Sequence, residues 1–123
     1  EEEAMPSLSV NTNVDLGSND AKNALMTKLT QAVAKCLGKP DSYVAIHLND
    51  KQSMMWGGST DPCALCQVAS LGAINQKNNS ALSGQIAAAF AEAPFGIQGN
   101  RIYVEFRDVS AANMGYNGAT FAG

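Results

Sequence analysis

The sequence predicts a single α+β domain made of two β-α-β units that share one four-stranded mixed sheet, with both helices on one face. Three observations support this fold class. Two apolar stripes have helical spacing, strand-like alternation flanks each stripe, and the second half of the chain repeats the order of the first. A length of 123 residues suits one domain, and 46% apolar with 15% charged residues is typical of a folded chain.

The first unit begins with a strand and continues into a helix. In the strand, Leu8, Val10 and Thr12 alternate with polar residues. The helix carries one apolar stripe with a period of 3.6 residues, formed by Leu25, Leu29, Ala32, Val33, Cys36 and Leu37. Ser18 or Asn19 can cap its start, Gly38 can end it in a left-handed conformation, and Pro40 prevents its continuation.

The remaining elements follow the same pattern. Val44, Ile46 and Leu48 alternate with Tyr43, Ala45 and His47 in a second strand, and an apolar run from Ala64 to Leu71 predicts a buried third strand. A second helical stripe comprises Leu82, Ile86, Ala89, Phe90 and Ala93, and Pro94 and Gly96 should end it. Ile102, Val104 and Phe106 alternate with Tyr103, Glu105 and Arg107 in the last strand.

The sheet face turned away from the helices has a mixed character. Two strands place on it Tyr43, Ala45, His47, Tyr103, Glu105 and Arg107. Such a face is too apolar to be simply solvated and too polar for a monomer core. We therefore expect an oligomer built around the exposed sheet faces.

Charge and composition narrow the function classes. Three of the eleven acidic residues are Glu1 to Glu3, so the other eight balance the eight Lys and Arg residues. This balance excludes nucleic-acid binding driven by bulk charge, and no apolar run is long enough for a transmembrane helix. We expect no metal and no cofactor.

The two ends of the domain and its compartment are also predicted. We interpret residues 1–4 as a leader that is foreign to the fold and precedes a natural start at Met5. The alternative is a native acidic N-terminus. Residues 5–123 are predicted to form one domain. Three cysteines without an apolar signal segment favour a reduced cytoplasm.

Several short strings, in a shared order, resemble one family. They are Met5-Pro6, Asn11-Thr12-Asn13, Gly38-Lys39-Pro40, Gly57-Gly58-Ser59, Cys63-Ala64-Leu65-Cys66, and the stretch from Asn113 to Phe121. With the duplicated β-α-β order, the chain resembles the macrophage migration inhibitory factor family of the tautomerase superfamily from Met5 to Phe121.

The resemblance implies an activity and partners. It implies a homotrimer with active sites between adjacent subunits, and keto–enol tautomerisation of small aromatic keto acids of the phenylpyruvate or dopachrome type. The alternative that it implies is a cytokine-like protein, exported without a signal peptide, that binds a cell-surface receptor and has vestigial catalysis. A third hypothesis is a plain cytoplasmic trimer with a redox-sensitive cysteine pair.

The resemblance also implies the residues of the site. Pro6 corresponds to the catalytic proline once Met5 is removed, Lys39 to a lysine that contacts the substrate carboxylate, and Ser70 and Leu71 to residues beside the proline. Tyr103 corresponds to a tyrosine of the neighbouring subunit. The residues implied to line the substrate-ring pocket are Met114, Tyr116 and Phe121.

One implied position departs from the family in charge. Glu105 stands where mammalian members commonly carry asparagine, and a carboxylate there would repel an anionic substrate and raise the pKa of a nearby amine. Pairing with Arg101 or Arg107 would reduce that effect.

Three of the implied residues also have a purely structural interpretation. Pro6 can simply open an edge strand, Lys39 can be a lysine at a helix end, and Tyr103 can be a half-buried aromatic in a strand.

Pro6 can act as a base only if its nitrogen is free. A secondary amine is a good proton acceptor, and an apolar pocket lowers its pKa from the usual value near ~8. While Met5 precedes it, the nitrogen of Pro6 belongs to a tertiary amide and has no basic lone pair. We therefore expect the chain with Met5 in place to be inert.

The cysteines offer a further hypothesis. Cys63 and Cys66 form a CxxC, for which a thiol–disulfide role is an alternative, although redox pairs normally sit at a helix N-terminus and this one enters a strand. No second ligand pair follows at zinc spacing. Cys36 and the single histidine, His47, are expected to have structural roles.

Overall fold

The computed structural model describes residues 5–123, so the expected leader at residues 1–4 lies outside the described residues. Within this part of the chain the strands are β1 (Ser7–Thr12), β2 (Ala45–Asn49), β3 (Ala64–Ser70), β4 (Ile102–Asp108), β5 (Gly115–Tyr116) and β6 (Ala119–Thr120). The helices are α1 (Asn19–Leu37) and α2 (Gln76–Ala91), with single 3-10 turns at Asp41–Tyr43, Gly99–Arg101 and Ala111–Asn113. None of the described helices is long and apolar enough to cross a membrane.

The four long strands form one mixed sheet in the order β2-β1-β3-β4. β1 pairs with β2 in parallel, β3 pairs with β4 in parallel, and β1 and β3 join the two units antiparallel, with Ser7 opposite Ala69. The predicted duplication is therefore confirmed. The alternative that Pro6 opens an edge strand is wrong, because β1 lies between β2 and β3.

Local capping sets the ends of α1. The Ser18 hydroxyl accepts a hydrogen bond from the amide of Ala21 at 3.1 Å, and Gly38 ends the helix with φ of 67°, a conformation that favours glycine. The amides of Gly38 and Lys39 both donate to the carbonyl of Ala34, the second at 2.9 Å, and these bonds close the end of the helix.

The second helix ends earlier than its sequence pattern suggests. Asn75 caps its start through a side-chain oxygen that accepts from the amide of Asn78 at 2.9 Å. The helix stops at Ala91, and Ala93 is exposed outside it, which corrects the predicted stripe. Glu92 is extended and Ala93 precedes Pro94, a position where the helical conformation is disfavoured.

Alternation along the strands separates the core from the free face. Residues with even numbers in β1 and β3 point towards α1 and α2, and Leu8, Val10 and Val68 are at most 1% exposed. The two helices contribute to the same core Leu25, Leu29, Val33, Leu37, Leu82, Ile86, Ala89 and Phe90. Cys36 packs at the edge of this core, as expected.

Odd-numbered residues of the four long strands form what we call the free face. It comprises Ser7, Ser9, Asn11, Ala45, His47, Asn49, Leu65, Gln67, Ala69, Tyr103, Glu105 and Arg107, all exposed or half-buried. Tyr43 was predicted on this face and is not part of β2. It lies in a 3-10 turn because its amide donates to the carbonyl of Pro40 at 3.0 Å.

Asp50 connects the end of β2 to the loop that precedes α1. Its carboxylate accepts a hydrogen bond from the amide of Leu16 at 2.9 Å, and its other oxygen lies 3.4 Å from the ammonium of Lys22. The bond from Leu16 is the main reason that the pKa of the Asp50 carboxyl lies below its ordinary value. The folded state therefore favours the ionised form.

We predict that Asp50→Asn lowers the free energy of unfolding at pH 7 by about 1–2 kcal/mol, because a charge-assisted hydrogen bond becomes a neutral one. A depressed pKa stabilises the fold above the ordinary carboxyl pKa, and this contribution is lost as pH falls through the folded value. Urea unfolding at pH 7 and pH 3 measures both effects. Asp61→Asn is the control, and an Asp50→Asn deficit of equal size at both pH values would contradict the assignment.

Candidate active site

Pro6 lies at one end of the sheet, directly before β1. It is among the fully buried side chains, and its carbonyl accepts a hydrogen bond from the amide of Ala45 in β2 at 3.0 Å. Continuing the register of β1 and β3 by one residue places Pro6 opposite Ser70, with both side chains on the face that carries the helices. Its nitrogen is joined to Met5, as the sequence requires.

The hydroxyl of Ser70 is buried and unpaired. Ser70 is 0% exposed, and its Oγ has no hydrogen-bond partner among the described residues. Thr12, the other buried polar residue of the sheet, donates from its hydroxyl to the carbonyl of Cys63 at 2.7 Å. Leu71 follows Ser70 and is 6% exposed, so the end of β3 opposite Pro6 is shielded from solvent.

Lys39 belongs to the connection that runs from α1 to β2. This connection ends at the bond between Ala45 and Pro6, so it reaches the same end of the sheet. The side chain of Lys39 is half-buried. The ion pairs among residues 5–123 are Lys22–Asp50 and Lys28–Glu92, which leaves the Lys39 ammonium without an acidic partner in the described chain.

The C-terminal hairpin starts from the same place. The amide of Val109 donates to the carbonyl of Ser70 at 2.9 Å, so the chain leaves the sheet beside that serine. Further on, the amide of Phe121 donates to the carbonyl of Met114 at 3.1 Å, and the rings of Tyr116 and Phe121 stack with centroids 6.0 Å apart and planes at 7°. The three predicted pocket residues thus come together in one hairpin.

Tyr103 lies elsewhere in the chain. It pairs with Leu65 at the start of β3, five residues from Ser70, which is about 17 Å along the strand. It also lies on the free face, whereas Pro6 points towards the helices. A single chain therefore holds Pro6, Lys39 and Ser70 at one end and presents Tyr103 at another, where it is 66% exposed.

Glu105 stands two residues further along the same face. Its Oε1 accepts a hydrogen bond from the side-chain amide of Gln67 at 3.0 Å. Arg101 and Arg107 were the expected partners of Glu105, but within residues 5–123 neither forms an ion pair with it. Arg101 instead bonds to carbonyls of the loop before β3. A surface hollow of about 380 Å³ is lined by Leu65, Cys66, Gln67, Tyr103, Val104 and Glu105.

Trp56 contacts Tyr103, a pair that no sequence pattern predicts. The two ring centroids lie 4.3 Å apart with planes at 33°. The residues are far apart in the chain, and the only local signal was the Gly57-Gly58 turn that follows Trp56.

The two cysteines of the CxxC are buried and free. Cys63 and Cys66 are 1% and 2% exposed, and no disulfide joins them. Burial raises the pKa of the Cys66 thiol to about 12 and also raises that of Cys36. Because the thiolate is the reactive form, these surroundings disfavour thiol–disulfide chemistry at this pair. Among residues 5–123, no three His, Cys, Asp or Glu side chains are placed to hold a metal ion.

The family model described as macrophage migration inhibitory factor matches residues 5–122. The chain belongs to this family. A macrophage migration inhibitory factor homolog of Brugia malayi is 41% identical over 95% of this chain and 99% of its own length. The Xenopus tropicalis macrophage migration inhibitory factor is also 41% identical, over 96% of this chain and 100% of its own length.

Solved structures of family members show the same fold. The crystal structure of a homologue from Prochlorococcus marinus has a TM-score of 0.85 at 33% identity, and covers 94% of this chain and 98% of that one. The Toxoplasma gondii macrophage migration inhibitory factor has a TM-score of 0.83 at 34% identity, and covers 94% of this chain and 99% of that one. The resemblance and the fold class predicted from the sequence are both confirmed.

We predict that Ser70→Ala stabilises the chain that retains Met5 by about 1 kcal/mol, because it removes a buried hydroxyl without a partner. Thr12→Val is the matched control, and it should destabilise the chain by about 1–2 kcal/mol because its hydroxyl is bonded. Urea unfolding midpoints measure both. If Ser70→Ala destabilises the chain as much as Thr12→Val does, the hydroxyl of Ser70 has a partner.

Proposed function

We propose that the chain is a keto–enol tautomerase of small aromatic keto acids, of the phenylpyruvate or dopachrome type, with Pro6 as its general base once Met5 is removed. The observation that carries this proposal is the burial of Pro6 at the end of the sheet that also holds Lys39. An amine base and a cation at the same end of the sheet suit a substrate that carries a carboxylate and loses a proton from the carbon beside its carbonyl.

The reaction needs a base with a pKa near the working pH. Tautomerisation takes a proton from the carbon beside a carbonyl and returns one to the other end of the enol system. A free Pro6 nitrogen would start near ~8, and its dry surroundings disfavour the cation and lower that pKa. The base then holds the proton for only one step, and the same group can return it.

The charges and rings around Pro6 have separate roles in this proposal. Lys39 binds the carboxylate of the substrate, and its positive charge also lowers the energy of the developing enolate. Leu71, Met114, Tyr116 and Phe121 hold the aromatic ring by apolar contact and stacking. The site needs no metal and no cofactor, because a nitrogen base and a cation are sufficient for the proton transfer.

A second copy of the chain completes the site. The phenol of Tyr103 donates a hydrogen bond to the substrate carbonyl in the site of a neighbouring subunit. The position of Tyr103 on the free face, away from Pro6 of its own chain, supports this role. The homotrimer implied by the resemblance meets this requirement. In a cyclic trimer every subunit has an adjacent subunit that can contribute Tyr103 to its site. The exposed Leu65 and Tyr103 on the free face support such burial between subunits.

Signalling is the second candidate function. It is supported by the relatives from Xenopus tropicalis and Meriones unguiculatus, both of which are named macrophage migration inhibitory factor. In this proposal the protein is made in the cytoplasm, leaves the cell without a signal peptide, and binds a cell-surface receptor through the outer surface of the trimer. Pro6→Gly in the processed protein separates the two functions if receptor binding remains while enolisation is lost.

We predict that a protein processed to begin at Pro6 enolises phenylpyruvate at least about 100-fold faster than the chain that retains Met5, because only the free amine is a base. Ultraviolet absorbance of the enol measures the rate, and intact mass verifies the N-terminus. Pro6→Gly in the processed form is the control, since it keeps an amine but loses the secondary one. Equal rates with and without Met5 would remove Pro6 from the mechanism.

We predict that Glu105→Asn raises kcat/KM of the processed protein for phenylpyruvate about fivefold, which corresponds to about 1 kcal/mol of lost repulsion. Asparagine can keep the bond to Gln67 while it removes the charge. Glu92→Gln removes an equal charge at a distant exposed site and should change the rate little. An unchanged rate in Glu105→Asn would show that this carboxylate does not reach the substrate.

A further inference from the structure

Tyr103 is held through its ring. Its side chain is 66% exposed. The ring lies against Trp56, with centroids 4.3 Å apart and planes at 33°. Such offset aromatic contacts contribute about 0.5–1.5 kcal/mol beyond the burial of area. An exposed tyrosine on a sheet face would otherwise sample several rotamers.

Trp56 is itself fixed by a tight turn. Its amide donates to the carbonyl of Ser59 at 2.9 Å, and the amide of Ser59 donates back at 3.1 Å. Gly57 and Gly58 between them have φ of 60° and 79°, the two positive values that a type I′ turn requires. Side chains at both positions would be strained, so the two glycines allow the closure that orients Trp56.

Arg101 ties this turn to the start of β4. Its Nε donates to the carbonyl of Pro62 at 2.9 Å, and its Nη1 donates to the carbonyl of Trp56 at 3.4 Å. Its Nη2 donates to the carbonyls of Ser59 at 3.2 Å and Asp61 at 3.0 Å. The guanidinium carbon also lies 6.0 Å from the centre of the Trp56 ring. One side chain therefore joins the turn to the strand that carries Tyr103.

We propose that Trp56 is a positioning residue, which holds the ring of Tyr103 so that its phenol donates at the substrate carbonyl of the neighbouring subunit, and that Arg101 fixes Trp56 for this purpose. This inference rests on the proposed function, since it deepens the role of Tyr103. Trp56 touches Tyr103 and not the substrate, so its loss acts through the placement of a donor. Misplacement of such a donor lowers kcat more than it raises KM.

A double-mutant cycle in the processed protein tests the kinetic role. Trp56→Ala should lower kcat for phenylpyruvate about tenfold with a smaller change in KM, and Trp56→Phe should restore most of the loss because it keeps a flat ring. Tyr103→Phe keeps the ring but removes the phenol. In that background Trp56→Ala should have almost no further effect, because no donor remains to be placed.

Spectroscopy tests the contact without reference to activity. Trp56 is the only tryptophan of the chain, so fluorescence excited where tyrosine does not absorb reports on Trp56 alone. Tyr103→Leu removes the stack and should change this emission, and Arg101→Lys, which loses the planar fork, should shift it to the red. Unchanged emission in Tyr103→Leu would overturn the contact.

The possible failures can be told apart. A processed wild-type protein without tautomerase activity overturns the proposed function and the kinetic role of Trp56 together. The emission of Trp56 still tests its contact with Tyr103 in that case. An active wild type with unchanged kcat in Trp56→Ala overturns this inference alone. Independent, multiplicative losses from Trp56→Ala and Tyr103→Phe would also overturn it, because they would show that Trp56 does not act through the phenol.

Discussion

The antiparallel pairing of β1 with β3 decides where every part of the candidate site lies. Each β-α-β unit can build its own parallel pair, but only this central contact joins the units and sets their relative direction. Its register puts the start of β1 beside the end of β3. Pro6 and Ser70 therefore share one end of the sheet, and the C-terminal hairpin leaves from there. A register shifted by one residue would move each side chain of a strand to the other face.

The same pairing explains why one chain keeps Tyr103 apart from Pro6, so that it holds only part of the proposed site. The strands that end beside Pro6 begin at the opposite end, and Tyr103 is placed there by its pairing with Leu65. The period of two along β4 also turns Tyr103 away from the helices and towards the free face. A small domain with helices on one side has no further layer to cover that face. The free face and the separation of Tyr103 from Pro6 thus have one cause, and the proposed neighbouring copy would cover the face and complete the proposed site.

Local sequence patterns predicted those parts of the fold that depend on neighbours in the chain. The stripe and caps of the first helix predicted its ends, with Ser18 as one of two candidate caps and Gly38 as the stop. Alternation predicted β1, β2 and β4, and an apolar run predicted β3. Predictions were wrong where a few backbone bonds override alternation, as at Tyr43, and where a following proline shortens a helix, as at Ala93. The contact between Trp56 and Tyr103 could not be predicted, because no local pattern reports a pair that only tertiary structure brings together.

The bonds of Arg101 have a consequence for how this region tolerates change. All four of its acceptors are main-chain oxygens, which every amino acid supplies, so the side chains of Ser59 and Asp61 can vary without loss of these anchor points. Insertions or deletions between Trp56 and Pro62 are different, because they move the oxygens themselves. The amino acids of this segment can therefore vary, but its length cannot. The reason is that the single guanidinium group of Arg101 binds all four carbonyl oxygens.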